Sequence, residues 1–343
     1  MTIAESLGLR RLPYRILTID GGGVRGIIPV VWLERLERHL EAPAHTHFDM
    51  FAGTSIGAII ACALAMGMNA REVHDIWVNS AHLAFAKPGC LRDYGRRWAN
   101  RAGLAAKYDS AGLEDMLHGI FHDLCLGELR TPTLALSYDI QAMQVHVFSS
   151  AREDHKPLPV WEVCRASTAA PLFFDPHMMV CDDSGTEHPM ADGGLTANNP
   201  VVLAISEAVC QVKGKAPVTN LEHVVVASFG TGAPPEGQTT VPKTIFGHGS
   251  AILQALMTGA TGTDHVTART LLPPENYWRF QTSISDRLSP LDEVDNIDAL
   301  QAVALAHLAD GADHRLAQLA RRLQGKPLER RWWEGRHAHE VAS

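Results

Sequence analysis

Two short stretches of this chain carry the residue types that acyl-transfer chemistry needs. The first is Gly21-Gly22-Gly23-Val24-Arg25-Gly26, directly after the apolar run Ile16-Leu17-Thr18-Ile19-Asp20. Consecutive glycines leave backbone N–H groups unshielded, and a row of such donors cradles an anion. The second is Gly53-Thr54-Ser55-Ile56-Gly57, directly after Phe48-Asp49-Met50-Phe51-Ala52. A serine on a sharp strand-to-helix turn has a strained backbone and closely passing flanks, so it needs small neighbours, which Gly53 and Gly57 supply. The chemistry this implies is attack of Ser55 Oγ on an ester carbonyl. Glycine-loop amides, with Ile56 N–H at the helix start, would hold the oxyanion.

Each stretch has a competing reading. The glycine loop also satisfies G-x-G-x-x-G, which in a dinucleotide site is followed about 20 residues on by an acidic residue ending the next strand. Glu41 instead lies in a helical run, and the second strand ends in the serine turn. A third stretch, Met190-Ala191-Asp192-Gly193-Gly194-Leu195-Thr196-Ala197-Asn198-Asn199-Pro200, sets a carboxylate in a glycine turn. There Asp192 can act as a base whose affinity for protons is raised by partial burial, or simply cap a turn. His45, His47 and Asp49 have a metal-like spacing but sit where an exposed polar turn enters a strand. His223, His248 and His265 follow Asp192, in the chain order of a Ser-acid-His hydrolase, and no spacing singles one out.

Strands and helices must position these groups. Strands are expected at Arg15–Asp20, Phe48–Ala52, Thr133–Ile140, Gln144–Ser149, Val224–Phe229 and Tyr277–Thr282. Helical patterns alternate with several of them, which predicts an α/β fold with a mainly parallel sheet. Ile27–Leu40 gathers Ile27, Val31, Leu33, Leu36 and Leu40 on one side, with Glu34, Arg35, Glu37 and Arg38 toward solvent. Ile56–Met66 is apolar all round and closes at Gly67, so it should lie buried behind Ser55. Asn199-Pro200 should start a helix running to about Val209.

The chain has 343 residues, 46% of them hydrophobic, enough for one large domain. Its formal net charge of -8 argues against a general nucleic-acid binder. Six scattered cysteines without a CxxC pair, and no export pattern at the amino terminus, fit a reduced, cytoplasmic protein. No apolar run approaches the roughly 20 residues of a membrane span, so membrane contact would be peripheral.

Taken together, these motifs resemble the patatin-like phospholipase family. The resemblance rests on Asp20-Gly21-Gly22-Gly23-Val24-Arg25-Gly26, Gly53-Thr54-Ser55-Ile56-Gly57, Ala166-Ser167-Thr168-Ala169-Ala170-Pro171-Leu172-Phe173-Phe174 and Asp192-Gly193-Gly194, in that order. Lys107-Tyr108-Asp109 and Leu113-Glu114-Asp115-Met116-Leu117 add to it, and it spans about Arg15 to Gly232. It implies a three-layer architecture, with an extension over 1–14, the hydrolase domain over 15–324 and a tail over 325–343. It also implies Ser55 as nucleophile, Asp192 as its only catalytic partner, and Gly21, Gly22 and Gly23 as oxyanion donors with Arg25 beside them. No metal or cofactor is implied. The activity implied is phospholipase A or lysophospholipase chemistry on phospholipid or another acyl lipid. The alternatives are a nucleotide-regulated, membrane-degrading effector whose sensor follows Gly232, and a histidine-dependent esterase. Two segments suit a membrane surface. Lys87, Arg92, Arg96, Arg97, Arg101 and Lys107 face only Asp93 and Asp109 along 87–109, among Tyr94 and Trp98. The second is Arg330-Arg331-Trp332-Trp333, which can equally cover the domain's own surface.

Overall fold

The computed structural model describes residues 13–85, 106–182, 184–210, 220–235 and 245–328, with side chains in the last segment from residue 252 onward. The cationic segment 87–109 is therefore described only from residue 106, and the paired tryptophans of the tail lie outside the described residues.

A mostly parallel sheet forms the middle layer. Its strands are β1 (Tyr14–Ile19), β2 (Met50–Thr54), β3 (Thr133–Asp139), β4 (Gln144–Ser149), β5 (His177–Val180), β6 (Glu187–Asp192), β7 (Val224–Phe229) and β8 (Tyr277–Phe280). Their order across the sheet is β5-β6-β3-β2-β1-β7-β8, with β4 also paired to β3. Strands β3, β2, β1, β7 and β8 run parallel, while β4, β5 and β6 form an antiparallel margin.

Helices cover both faces: α1 (Ile27–Leu40), α2 (Ile56–Met66), α3 (Ala70–Ala84), α4 (Ala111–Phe121), α5 (Val160–Ser167), α6 (Val201–Cys210), α7 (Ile245–Leu271), α8 (Ile297–His307) and α9 (Asp313–Leu323). Strand alternation divides the core between the faces. Leu17, Ile19, Val225, Ala227 and Phe229 join the larger cluster under α1, α2 and α8. Tyr14, Ile16, Val224 and Val226 join a second cluster with α6 and the end of α7. Both faces of β1 and β7 are thus buried, which is why these strands read as continuous apolar runs.

The expected helices over 27–40 and 56–66 coincide with α1 and α2, and β4 and β7 fall where the sequence puts them. The other expected strands are found with their ends shifted by up to two residues. The β5–β6 hairpin is not visible in the sequence, because Pro189 and exposed polar residues break its alternation. Glu37, expected toward solvent, instead accepts the amides of Ala44 and Ala70, both at 2.8 Å, and ties α1 to the start of α3.

Two glycines set how closely strand and helix approach. A Cβ on Gly53 would lie 2.0 Å from Gly57 O, and one on Gly57 would lie 2.2 Å from Ile19 O. Backbone on both sides leaves nothing flexible to yield. Gly119, inside α4, has open space where its Cβ would be. Gly57→Ala is therefore expected to destabilise the fold by about 1–3 kcal/mol, and Gly119→Ala to stabilise it by about 0.5–1 kcal/mol. Urea denaturation of both variants checks this contrast of sign.

Candidate active site

The parallel register brings the chemistry together. Ile19 pairs with Gly53, so the loop leaving β1 and the turn leaving β2 emerge side by side. The chain places β2 and β3 on one side of β1 and β7 and β8 on the other, and such a reversal in strand order opens a crevice at the strands' carboxyl ends. Strand β6 ends at the same place, with Asp192 opposite Ser137, the residue after the one paired with Thr54.

Ser55 follows β2 with φ 56° and ψ -127°, a strained backbone for a side-chain-bearing residue. Its amide donates to Ser167 Oγ at 2.9 Å, and Ser167 in turn donates to Leu136 O at 2.5 Å. Ser55 and the Asp192 carboxylate line one cavity, and the Ser55 side chain acts to lower the Asp192 pKa. Asp192 also accepts the Gly194 amide at 2.7 Å, so it caps the turn Gly193–Leu195 while facing Ser55. The cap reading of Asp192 is met by this bond, and the same carboxylate lines the cavity onto which Ser55 opens. Burial pushes the Asp192 carboxyl up to about 6, against the opposing influence of the Ser55 side chain and the Gly194 amide. A Cβ on Gly193 would lie 2.4 Å from Leu136 O, which explains the glycine directly after the aspartate.

The glycine loop is held from behind, atom by atom. Gly21 O accepts from Thr231 Oγ1 at 2.7 Å, Gly22 O from Arg25 Nε at 3.3 Å, and Val24 O from Trp77 Nε1 at 3.3 Å. The Gly21 amide donates to Asn198 O at 3.1 Å, and the Val24 amide to Leu291 O at 2.8 Å. Among the described residues, the amides of Gly22, Gly23 and Ile56 have no acceptor. Of the expected donors, then, Gly21 is already engaged, while Gly22 and Gly23 keep their N–H groups available. Gly23 has φ +55°, a conformation glycine adopts without strain.

Arg25 lies beside the glycines through its bond to Gly22 O; it is 6% exposed and lines a second, polar cavity with Asp20, Asn198 and Thr231. Burial lowers its pKa to about 10, with Asp20 opposing. Asp20 itself forms a two-pronged ion pair with Arg279 on β8, at 2.9 and 2.5 Å, and Arg279 also donates to Ser228 Oγ at 2.9 Å. Burial would lower the Arg279 pKa, and the Asp20 carboxylate more than reverses that.

Ser55 and Asp192 open onto a cavity of about 520 Å³, counted with its mouth, walled mainly by apolar side chains including Ile59, Trp77, Phe173, Phe174 and Met257. No histidine lines it among the described residues. His223 directly precedes β7, at the far end of the parallel strands from Ser55, and His265 Nδ1 is 3.0 Å from Tyr277 Oη. The side chain of His248 lies outside the described residues. Asp49, of the metal-like trio, pairs with Arg15 at 2.9 Å. The sequence gives no signal for Arg279, Trp77 or Thr231, which reach the loop from remote elements. Ser167 lies inside a recognised motif, yet its hold on the Ser55 amide is visible only in three dimensions.

Comparison with known proteins agrees with this geometry. The family model described as "Patatin-like phospholipase" matches residues 17–205. "Patatin-like protein 3" of Arabidopsis thaliana is 30% identical over 64% of this chain and 58% of its own length. The "cGAMP-activated phospholipase" of Pseudomonas aeruginosa is 28% identical over 92% of this chain and 90% of its own. "Calcium-independent phospholipase A2-gamma" of Homo sapiens is 30% identical over 86% of this chain and 38% of its own. The chain spans under three-fifths of the length of the plant relatives.

A carboxyl raised by burial makes the site titratable. If Asp192 must be ionised to accept the Ser55 proton, kcat/KM for an ester should fall as pH drops through about 6 and level off above about 7. A pH–rate profile checks this, and a profile flat between about pH 5 and 8 would contradict it.

Proposed function

The chain belongs to the patatin-like phospholipase family, and on that premise we propose that it is a lipid acyl hydrolase of the phospholipase A or lysophospholipase type, working through Ser55 and Asp192 without a metal. The observation that carries this reading is that Ser55, on its strained turn, and the buried Asp192 carboxylate line one apolar cavity together with Gly23, whose amide has no acceptor among the described residues.

Ser55 Oγ attacks the acyl carbonyl carbon as Asp192 takes its proton. The carbonyl oxygen becomes an anion facing Gly22 and Gly23 N–H, with Ile56 N–H at the start of α2 as a third donor. Asp192 then returns the proton to the departing alcohol oxygen, leaving the acyl group on Ser55. In the second half, water gives its proton to Asp192, attacks the acyl carbon and releases the fatty acid, and Ser55 recovers its proton. One carboxylate suffices because the same group alternates between base and acid at one oxygen position. The apolar cavity supports an acyl chain as the occupant, and a peripheral lipid surface as the source of substrate.

A second reading, a nucleotide-gated phospholipase effector, is favoured by one observation. The likeness to the cGAMP-activated phospholipase runs along 92% of this chain and so continues beyond Gly232, past the reach of the family model.

One assay separates the readings: fatty-acid release from mixed phospholipid vesicles in EDTA, with and without cyclic dinucleotides. Wild type is expected to release fatty acid, and Ser55→Ala to lose at least about 10³-fold of that rate. Release that appears only with a cyclic dinucleotide supports the gated reading. Undiminished release by Ser55→Ala would overturn both.

A further inference from the structure

Trp77 belongs to two structures at once. Helix α3 buries Ala70, Val73, Trp77, Ala81 and Ala84 along one side, and its start is fixed by a reciprocal Asn69–Glu72 cap. At 5% exposed, the Trp77 ring forms a wall of the cavity that Ser55 opens onto. Its indole N–H leaves that cavity and donates to Val24 O, one residue past Gly23. The Val24 residue is gripped from its other end by a second cavity-wall residue, Leu291, whose carbonyl accepts the Val24 amide at 2.8 Å. Leu291 also presses on the loop itself, since a Cβ on Gly23 would lie 2.0 Å from its carbonyl oxygen. Two walls of the cavity therefore hold the glycine loop at the carbonyl and the amide of Val24, immediately beside the Gly23 amide.

We propose that Trp77 is a positioning residue that converts filling of the cavity by a long acyl chain into alignment of the Gly23 amide, so that this enzyme selects long-chain acyl esters in kcat and not only in binding. The inference rests on the lipid acyl hydrolase reading above. Its physical basis is that contacts remote from the reacting atoms raise kcat only when they improve the transition state more than the ground state. A chain packed against Trp77 and Leu291 restricts the side chain and the backbone that hold Val24, and so restricts Gly23 N–H, whose partner gains charge only in the transition state. A short acyl group reaches Ser55 without filling that wall. The acyl chain stays in the cavity through both half-reactions, so the effect does not depend on which one limits turnover.

Trp77→Phe separates the roles, because it keeps an aromatic wall and removes the N–H. Val24 O retains the Ile27 amide as a partner, so the carbonyl is not left bare. The experiment measures kcat and KM for p-nitrophenyl butyrate and dodecanoate, below their aggregation limits, with wild type and Trp77→Phe. In wild type, kcat is expected to be higher for dodecanoate. In Trp77→Phe, the dodecanoate-to-butyrate ratio of kcat should fall by about two- to tenfold, the range of one neutral hydrogen bond, while the corresponding ratio of KM is kept. A wild-type kcat that does not change with chain length overturns the proposal without any variant. So does a Trp77→Phe ratio equal to that of wild type. Failure of wild type to hydrolyse either ester in a Ser55-dependent way would instead count against the acyl hydrolase reading itself.

Discussion

The buried ion pair between Asp20 and Arg279 fixes the point from which the glycine loop starts. Asp20 is the last residue before three glycines, is 1% exposed, and is held at both carboxylate oxygens. Glycine has no side chain to anchor it, so the course of Gly21–Gly23 is set by what grips the ends and the carbonyls. Removing one partner of such a pair leaves an uncompensated charge in the interior, at a cost of about 3–5 kcal/mol. The pair thereby links β8, late in the chain, to a loop near its beginning.

From that anchor the loop's polarity follows. Its carbonyls turn back toward Thr231, Arg25 and Trp77, and two of its amides turn outward without acceptors among the described residues. Across the crevice, Gly53 and Gly57 allow β2 and α2 to close tightly enough to hold Ser55 at positive φ. Ser167 then holds the Ser55 amide, while Asp192 lines the same cavity as Ser55. The strained turn is thus fixed from a separate segment, which keeps it from relaxing.

What the sequence made legible was local. Glycine spacing, the apolar run of α2 and the order of the motifs point to Ser55 and Asp192, because each motif carries its own steric reason. The continuous apolar runs of β1 and β7 likewise give the parallel core. The supports were not legible, since Arg279, Thr231, Leu291 and Trp77 come from elements that meet the loop only after folding. Gly21 illustrates the limit. A glycine in a row of three reads as an available donor, and only the arrival of Asn198 O shows that its amide is engaged.

The central claim is that Asp192 activates Ser55. It is tested most directly by the rate at which a long-chain alkyl fluorophosphonate labels the protein, read by intact mass and peptide mapping. The account predicts one adduct per chain, on Ser55, forming about 10²–10⁴-fold more slowly in Asp192→Asn. Labelling of Asp192→Asn at the wild-type rate, or an adduct on another residue, would contradict it.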